Sequence, residues 1–442
     1  MPARRAKKEG KRYDMMKFEK NRIVKRAAAI VFATVLAAGL FAGIAAPAPV
    51  FAEVESTDVS ETAAAAPAPL VEKAAAIAKA GSEKIVAEQK KAEEEAARQA
   101  LKNPLTGLGG YNEKAVGKRP VAIVVENDPK ARPQWGIDDK EKSPDIILEG
   151  EMEGGETRTL WIWADMTALP AQIGPTRSAR PPYIRFAEKF DAIFIHCGLS
   201  HSGGAYVGAN DVFQQDGVDH INMLTYGEGS LFGRDYSRTN MLEHTAFVRG
   251  EKVPDAIKGQ GFRTDINASR ATTFNFIGEK EEEEPEIGDG LAAAYRYASG
   301  LKAFPPEPEE PVGEPCITLD CTFSSITPTK HFEYSEKDQM YHTQDYYTDV
   351  ARTNVLILFD TTQYVENYTG STYGSVTYTD YLFEGGSGKL ASLGRVQDIT
   401  WHVEDGKIVV LDKDGEPAEL APGKIWIGWG STNHGGHVET GK

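Results

Sequence analysis

The stretch Gly174-Pro175-Thr176-Arg177-Ser178-Ala179-Arg180-Pro181-Pro182-Tyr183 sets two arginines between prolines. Proline has no N–H to give a ladder or a helix interior, so the segment reads as a turn. Apolar runs flank it: Thr159-Leu160-Trp161-Ile162-Trp163-Ala164 before, and Ala192-Ile193-Phe194-Ile195-His196-Cys197-Gly198 after. Short β-branched and aromatic runs predict buried strands, so a sheet should hold the turn and present its guanidinium groups. The double proline predicts a helix start, with helix from Tyr183 to Phe190. A helix N-terminus beside Arg177 and Arg180 suits a carboxylate, sulfate or phosphate.

Beyond the turn, Pro120 to Glu126 and Asp145 to Glu149 read as further strands, and the mixture with helix predicts an α/β or α+β mixed-sheet domain over 103–264. Residues 265–315 carry an acidic run and a Pro-rich run, an exposed insertion. From 316 to 430 the pattern is strand-like: 353–359, 375–383, 399–403, 407–411 and 424–429, divided by Gly and Asp turns such as Glu404-Asp405-Gly406. That predicts a separate antiparallel β-rich domain, with 431–442 as a tail. Gly385-Gly386-Ser387-Gly388-Lys389 lacks the spacing of a phosphate loop and reads as a hairpin turn. His434-Gly435-Gly436-His437 reads as frayed tail rather than a metal site.

The N-terminal region sets the compartment. Residues 1–26 hold eleven of the 49 basic residues and three of the 65 acidic ones, and 27–46 carry no charge. Twenty helical residues span about 30 Å, one hydrocarbon core. The basic segment should stay cytoplasmic and the rest lie outside the membrane. Val50-Phe51-Ala52 before Glu53 also fits a cleavage site, so anchor and cleaved signal both stand. Residues 47–102 read as linker and charged helical stalk, with coiled coil as an alternative. The part outside the membrane keeps 38 basic against 62 acidic residues. Such a surface repels nucleic acid, so a bound anion needs a local arginine cluster. Three cysteines are too few for a disulfide scaffold; Cys316 and Cys321 could pair or stay free.

Six stretches, in order, carry a resemblance: Asn103-Pro104-Leu105-Thr106-Gly107-Leu108; Arg119 to Asn127; Lys130-Ala131-Arg132-Pro133-Gln134; Glu149 with Gly154-Gly155-Glu156-Thr157-Arg158; Ile173 to Pro181; and Phe190 to Gly198. With Ala421 to Ile427 they resemble the YerB-like family of Gram-positive envelope proteins. The likeness runs from about 103 to 430. It implies an α/β N-terminal domain, a β-rich C-terminal domain and an extracytoplasmic address. Many members are lipoproteins; this sequence lacks the lipid-bearing cysteine, and its apolar segment could anchor instead. The family supplies no catalytic residues.

Two functions follow from the residues themselves. In the first, Arg132, Arg158, Arg177 and Arg180, from loops at strand ends, converge with Asn127 and His196 on an anionic or carbohydrate-like envelope ligand. The competing structural reading pairs each arginine with Glu149, Glu151, Glu153 or Glu156. A protein partner would instead use an apolar patch near Trp135 or Trp161. In the second, an envelope hydrolase or transferase uses His196 with Glu149 or Glu151. His196 and His201 lack a metal-ligand frame, and no metal or cofactor is expected.

Overall fold

Strands β1 (Val121–Glu126), β2 (Ile146–Glu151) and β3 (Thr157–Trp163) are buried at every position, as near-continuous apolar runs covered on both faces must be. The protein is described here by a computed structural model that covers residues 101–277, 312–368 and 375–442. The basic segment, the apolar run 27–46, the stalk up to residue 100 and most of the insertion lie outside the described residues. No helix among the described residues is long and apolar enough to cross a membrane.

β1 lies antiparallel to β3 and parallel to β4 (Ile193–His196), which is parallel to β5 (His220–Asn222). Alternation along β1 sorts the core into two layers. Ala122 and Val124 pack with Tyr183, Ile184 and Phe186 of helix α1 (Pro181–Glu188) and with Val212 and Phe213 of α2 (Ala209–Gln215). Val121, Ile123 and Val125 face the opposite layer, which holds Val253, Ala256 and Ile257 of α3 (Val253–Gln260) and the hairpin of β6 (Phe232–Arg234) and β7 (Ala246–Val248).

The later chain supplies β8 (Thr318–Thr322), β9 (Thr329–Ser335), β10 (Met340–Thr343), β11 (Val350–Arg352), β12 (Asn354–Asp360), β13 (Thr362–Tyr368), β14 (Ser375–Tyr381), β15 (Gly386–Ser392), β16 (Arg395–Glu404), β17 (Lys407–Leu411), β18 (Ile425–Ser431) and β19 (His437–Gly441). Most pair antiparallel, as the Gly and Asp turns predict. β18 does not: it runs parallel to β12 on one side and to β2 on the other. One eleven-stranded sheet results, β17-β16-β15-β12-β18-β2-β3-β1-β4-β5, with Glu314–Pro315 paired to β16. The two regions expected as separate domains therefore share a sheet. The reason is local: all seven residues of β18 are buried, so it needs a neighbour on each side.

Two smaller expectations are corrected, and a pairing left open is decided. The tail forms β19, which pairs with β8 in a second sheet ordered β11-β10-β9-β8-β19. Gly386 to Lys389 is strand, not turn, and Gly388 passes so close to Ile357 and Ile399 that a Cβ there would collide. Cys316 and Cys321 are both free.

Glu149 of β2 is fully buried and fully satisfied. One carboxylate oxygen accepts from Asn127 Nδ2 (2.7 Å), Thr157 Oγ1 (2.7 Å) and Lys330 Nζ (3.0 Å); the other accepts from the Tyr346 hydroxyl. That hydroxyl in turn accepts from Trp426 Nε1 at 2.8 Å, and Lys330 stacks over the Tyr346 ring. The cluster ties β2 to β9 and β18, early chain to late. Removing one partner of a buried pair strands the other charge, at about 3–5 kcal/mol, whereas removing both relieves the desolvation. Lys330→Met should therefore lower the urea-unfolding free energy by about that amount, and Glu149→Gln/Lys330→Met should recover more than half of it.

Candidate functional site

β1 and β4 are hydrogen-bonded partners only over Val121–Ile123 and Ile193–Ile195. Beyond that the strands part, and the arginine loop fills the gap as an extra strip of sheet. Arg177 N donates to Val124 O (3.3 Å), Cys197 N to Arg177 O (2.9 Å), Thr176 N to Ala246 O (2.8 Å) and Ala179 N to Gly198 O (2.9 Å). The loop is thus pinned at the carboxyl ends of two parallel strands, the usual ligand position in open α/β sheets. Helix α1 starts at Pro181 as expected, but its N-terminus offers little. Pro181 and Pro182 have no N–H, and Tyr183 N and Ile184 N both point to Arg180 O at 3.2 Å. The guanidinium groups, not helix amides, are the donors here.

Arg158 is the second residue of β3, cross-strand from Glu126 of β1. It is only 4% exposed. Its Nη1 donates to Ser178 O at 2.8 Å, its Nε is buried without a partner, and no carboxylate among the described residues pairs with it. Burial pushes its pKa down to about 10, and the like charges of Arg180 and Arg177 push the same way against the pull of Glu126 and Glu153. Arg177 is ion-paired with buried Glu126, and Arg180 with Glu153 while lying over the Tyr378 ring. Arg177 and Arg180 keep 29% and 16% side-chain exposure, so they are the solvent-facing members of the trio. Arg180 thus pairs with one of the expected carboxylates, Glu153, whereas the partner of Arg177, Glu126, was not among them.

The other expected site residues lie elsewhere. Arg132 donates to the carbonyls of Asn127 and Asp345 and borders a separate cleft of about 650 Å³ with Lys130, Trp135, Asp138 and Arg238. There Arg238 covers the Trp135 ring at 4.3 Å, so that indole face is already taken. Asn127 is internal, donating to Glu149 and accepting from Gln134 Nε2 at 2.9 Å. His196 is fully buried; Nδ1 contacts Gly198 O at 2.6 Å and Nε2 contacts His220 Nδ1 at 2.9 Å. Glu151 is buried as an acceptor for Tyr364 and Thr379 hydroxyls. The expected placement of Asn127 and His196 at the ligand face is corrected: each sits at a strand end, but on the inner side of it. Trp161 is buried too and belongs to the core rather than a surface patch. Among the described residues no cluster of His, Cys, Asp and Glu could hold a metal.

With fold and site in view, comparison with known proteins places the chain. Residues 105–263 match the N-terminal domain, and residues 320–427 the C-terminal domain, of a protein family of unknown function, DUF3048. The chain belongs to this YerB-like family. It is 29% identical over 341 residues to "Putative lipoprotein YerB" of Bacillus subtilis (strain 168), spanning 74% of this chain and 85% of that one. The crystal structure of the YerB protein from Bacillus subtilis is similar at 25% identity and a TM-score of 0.56, across 77% of this chain and 100% of that chain.

Burial pushes the His196 pKa down to about 3. The folded chain therefore holds this imidazole neutral while the unfolded chain protonates it below its ordinary value near 6.5. The sign follows: the unfolded state binds more protons, so stability falls as pH drops, at about 1.4 kcal/mol per pH unit between roughly pH 6 and pH 4. His196→Gln should reduce the slope of unfolding free energy against pH by about one proton in that window, measured by urea titration at successive pH values.

Proposed function

We propose that this chain is a membrane-tethered, extracytoplasmic binding protein of the cell envelope that takes an anionic group at Arg158, Arg177 and Arg180. The observation that carries the reading is Arg158. A buried guanidinium with one hydrogen bond and two like-charged neighbours is costly, and an incoming carboxylate, phosphate or sulfate supplies what it lacks. An acidic chain, net −16, attracts no anion at long range, so local arginines must do the selecting. The tether rests on the basic 1–26 segment followed by the uncharged 27–46 run, and on the similar Bacillus protein bearing the name "Putative lipoprotein YerB". An envelope hydrolase working through His196 and Glu149 or Glu151 has less support, because all three side chains are internal and occupied.

Replacing a buried unpaired charge by an apolar chain is often neutral for stability. Arg158→Met in the full-length, detergent-solubilised chain should stay within about 1 kcal/mol of wild type in urea. Calorimetric titration with inorganic phosphate, glycerol phosphate and a muramyl peptide should show at least one anion bound by wild type and by His196→Gln. That anion should bind at least tenfold more weakly to Arg158→Met and to Arg177→Ala/Arg180→Ala. Equal affinity in all four proteins would overturn the site, and no binding by any of them would move the reading to a protein partner.

A further inference from the structure

β2 and β18 run parallel with Ile146 opposite Ile425, so the residues that lead into the two strands meet at one rim of the sheet, the end away from the arginines. Ser143 leads into β2 and Lys424 into β18. Lys424 Nζ lies 2.7 Å from Ser143 Oγ and 2.7 Å from Ser143 O. Both backbones are fixed. Ser143 N donates to Asp139 O at 3.0 Å, Ile425 N to Asp145 O at 2.9 Å, and Thr353 N and Asn354 N to Lys424 O at 3.1 and 3.2 Å. Gly423 passes so close to Thr353 that a Cβ would collide with the Thr353 hydroxyl, which holds Lys424 in its place. A cleft of about 290 Å³ reaches the pair, bordered by Asn103, Tyr111, Asp145, Trp163 and Asp165.

We propose that Ser143 and Lys424 form a nucleophile and general-base pair for acyl transfer from a small uncharged ester. A lysine serves as base only when it can shed its proton near neutral pH. Burial, and then the like charge of Arg352, push Lys424 down to about 8 against the pull of Asp145 and Asp139. Neutral Lys424 takes the Ser143 hydroxyl proton as Oγ forms a bond to the ester carbonyl carbon, whose π pair moves onto oxygen. Collapse of that intermediate breaks the bond to the leaving alcohol, which accepts the proton from the Lys424 ammonium. Lys424 then deprotonates a water that attacks the acyl carbon; collapse of this second intermediate breaks the bond to Ser143 Oγ, which takes the proton back from the Lys424 ammonium, so ester and water give acid and alcohol. The cleft sits at the small end of ligand pockets and admits a short acyl group. Its carboxylates, Glu141, Asp145 and Asp165, repel an anionic one. The site stands apart from the arginine trio and does not depend on it.

The test is labelling of the full-length chain with an alkyl fluorophosphonate, read by intact mass and peptide mapping. Wild type should carry one adduct on Ser143. Its rate should rise close to tenfold per pH unit up to about pH 8 and then level, reporting Lys424 in the free protein. Ser143→Ala should carry no adduct at that peptide. Lys424→Met, checked for native circular dichroism, should label at least about a hundredfold more slowly. A lysine that merely ties the loop to β18 predicts a different pattern: no Ser143 adduct in wild type up to about pH 9, or a rate independent of pH. Either result, or a Lys424→Met protein labelled at the wild-type rate, overturns the proposal; should Lys424→Met fail to fold, the wild-type pH profile decides alone.

Discussion

A late strand closes an early sheet, and everything else in this protein depends on that joint. β18 lies between β2 and β12 with all seven residues buried, so the chain must return, after residues 152–424, to the place where β2 left an open edge. Unpaired backbone on a buried strand is too costly to tolerate. The eleven-stranded sheet therefore draws its strands from both family domains. Glu149 marks the joint chemically, because its partners Lys330 and Tyr346 come from the late region and Asn127 and Thr157 from the early one.

From the joint follow two rims with different chemistry. At the carboxyl ends of β1 and β4 the strands part and the arginine loop enters, aligned by main-chain bonds to both. At the opposite rim, β2 and β18 begin side by side and bring Ser143 against Lys424. Two buried charges show what separates structure from site. Glu149 has a donor for each lone pair that matters and is complete without a ligand. Arg158 has one acceptor and a buried Nε without any, and is incomplete. A buried group with unmade hydrogen bonds calls for an explanation, whether a ligand, an ordered water or strain.

Much of this was legible in the amino-acid order. The apolar runs around Val121, Ile146, Leu160, Ile193, Ile357 and Trp426 are strands, and the double proline at 181–182 starts a helix, because period and turn chemistry are local signals. The parallel join of β18 was not legible, since pairing partners far apart in sequence leave no mark on either segment. Nor was the inner or outer facing of strand-end residues. His196 ends β4, Asn127 follows β1 and Arg158 lies second in β3; all three are buried, but the first two are occupied by Gly198, His220 and Glu149. β9 to β11 were not legible as strands because polar residues hold inward positions, Lys330 in β9, Thr343 in β10 and Arg352 in β11, which breaks the apolar alternation. The YerB-like resemblance, read from clustered motifs, spans both family domains, whereas Arg238 over Trp135 is a contact between loops that no spacing rule announces.

The central functional claim is that Arg158 awaits an anion. Crystals of the protein soaked in selenate and measured at the selenium edge test it directly, since the heavy oxyanion reports its own position by anomalous scattering. The account predicts a peak within hydrogen-bonding distance of the Arg158 guanidinium, with Arg177 or Arg180 turned toward it. A map with selenate elsewhere on the surface and none at Arg158 would contradict it.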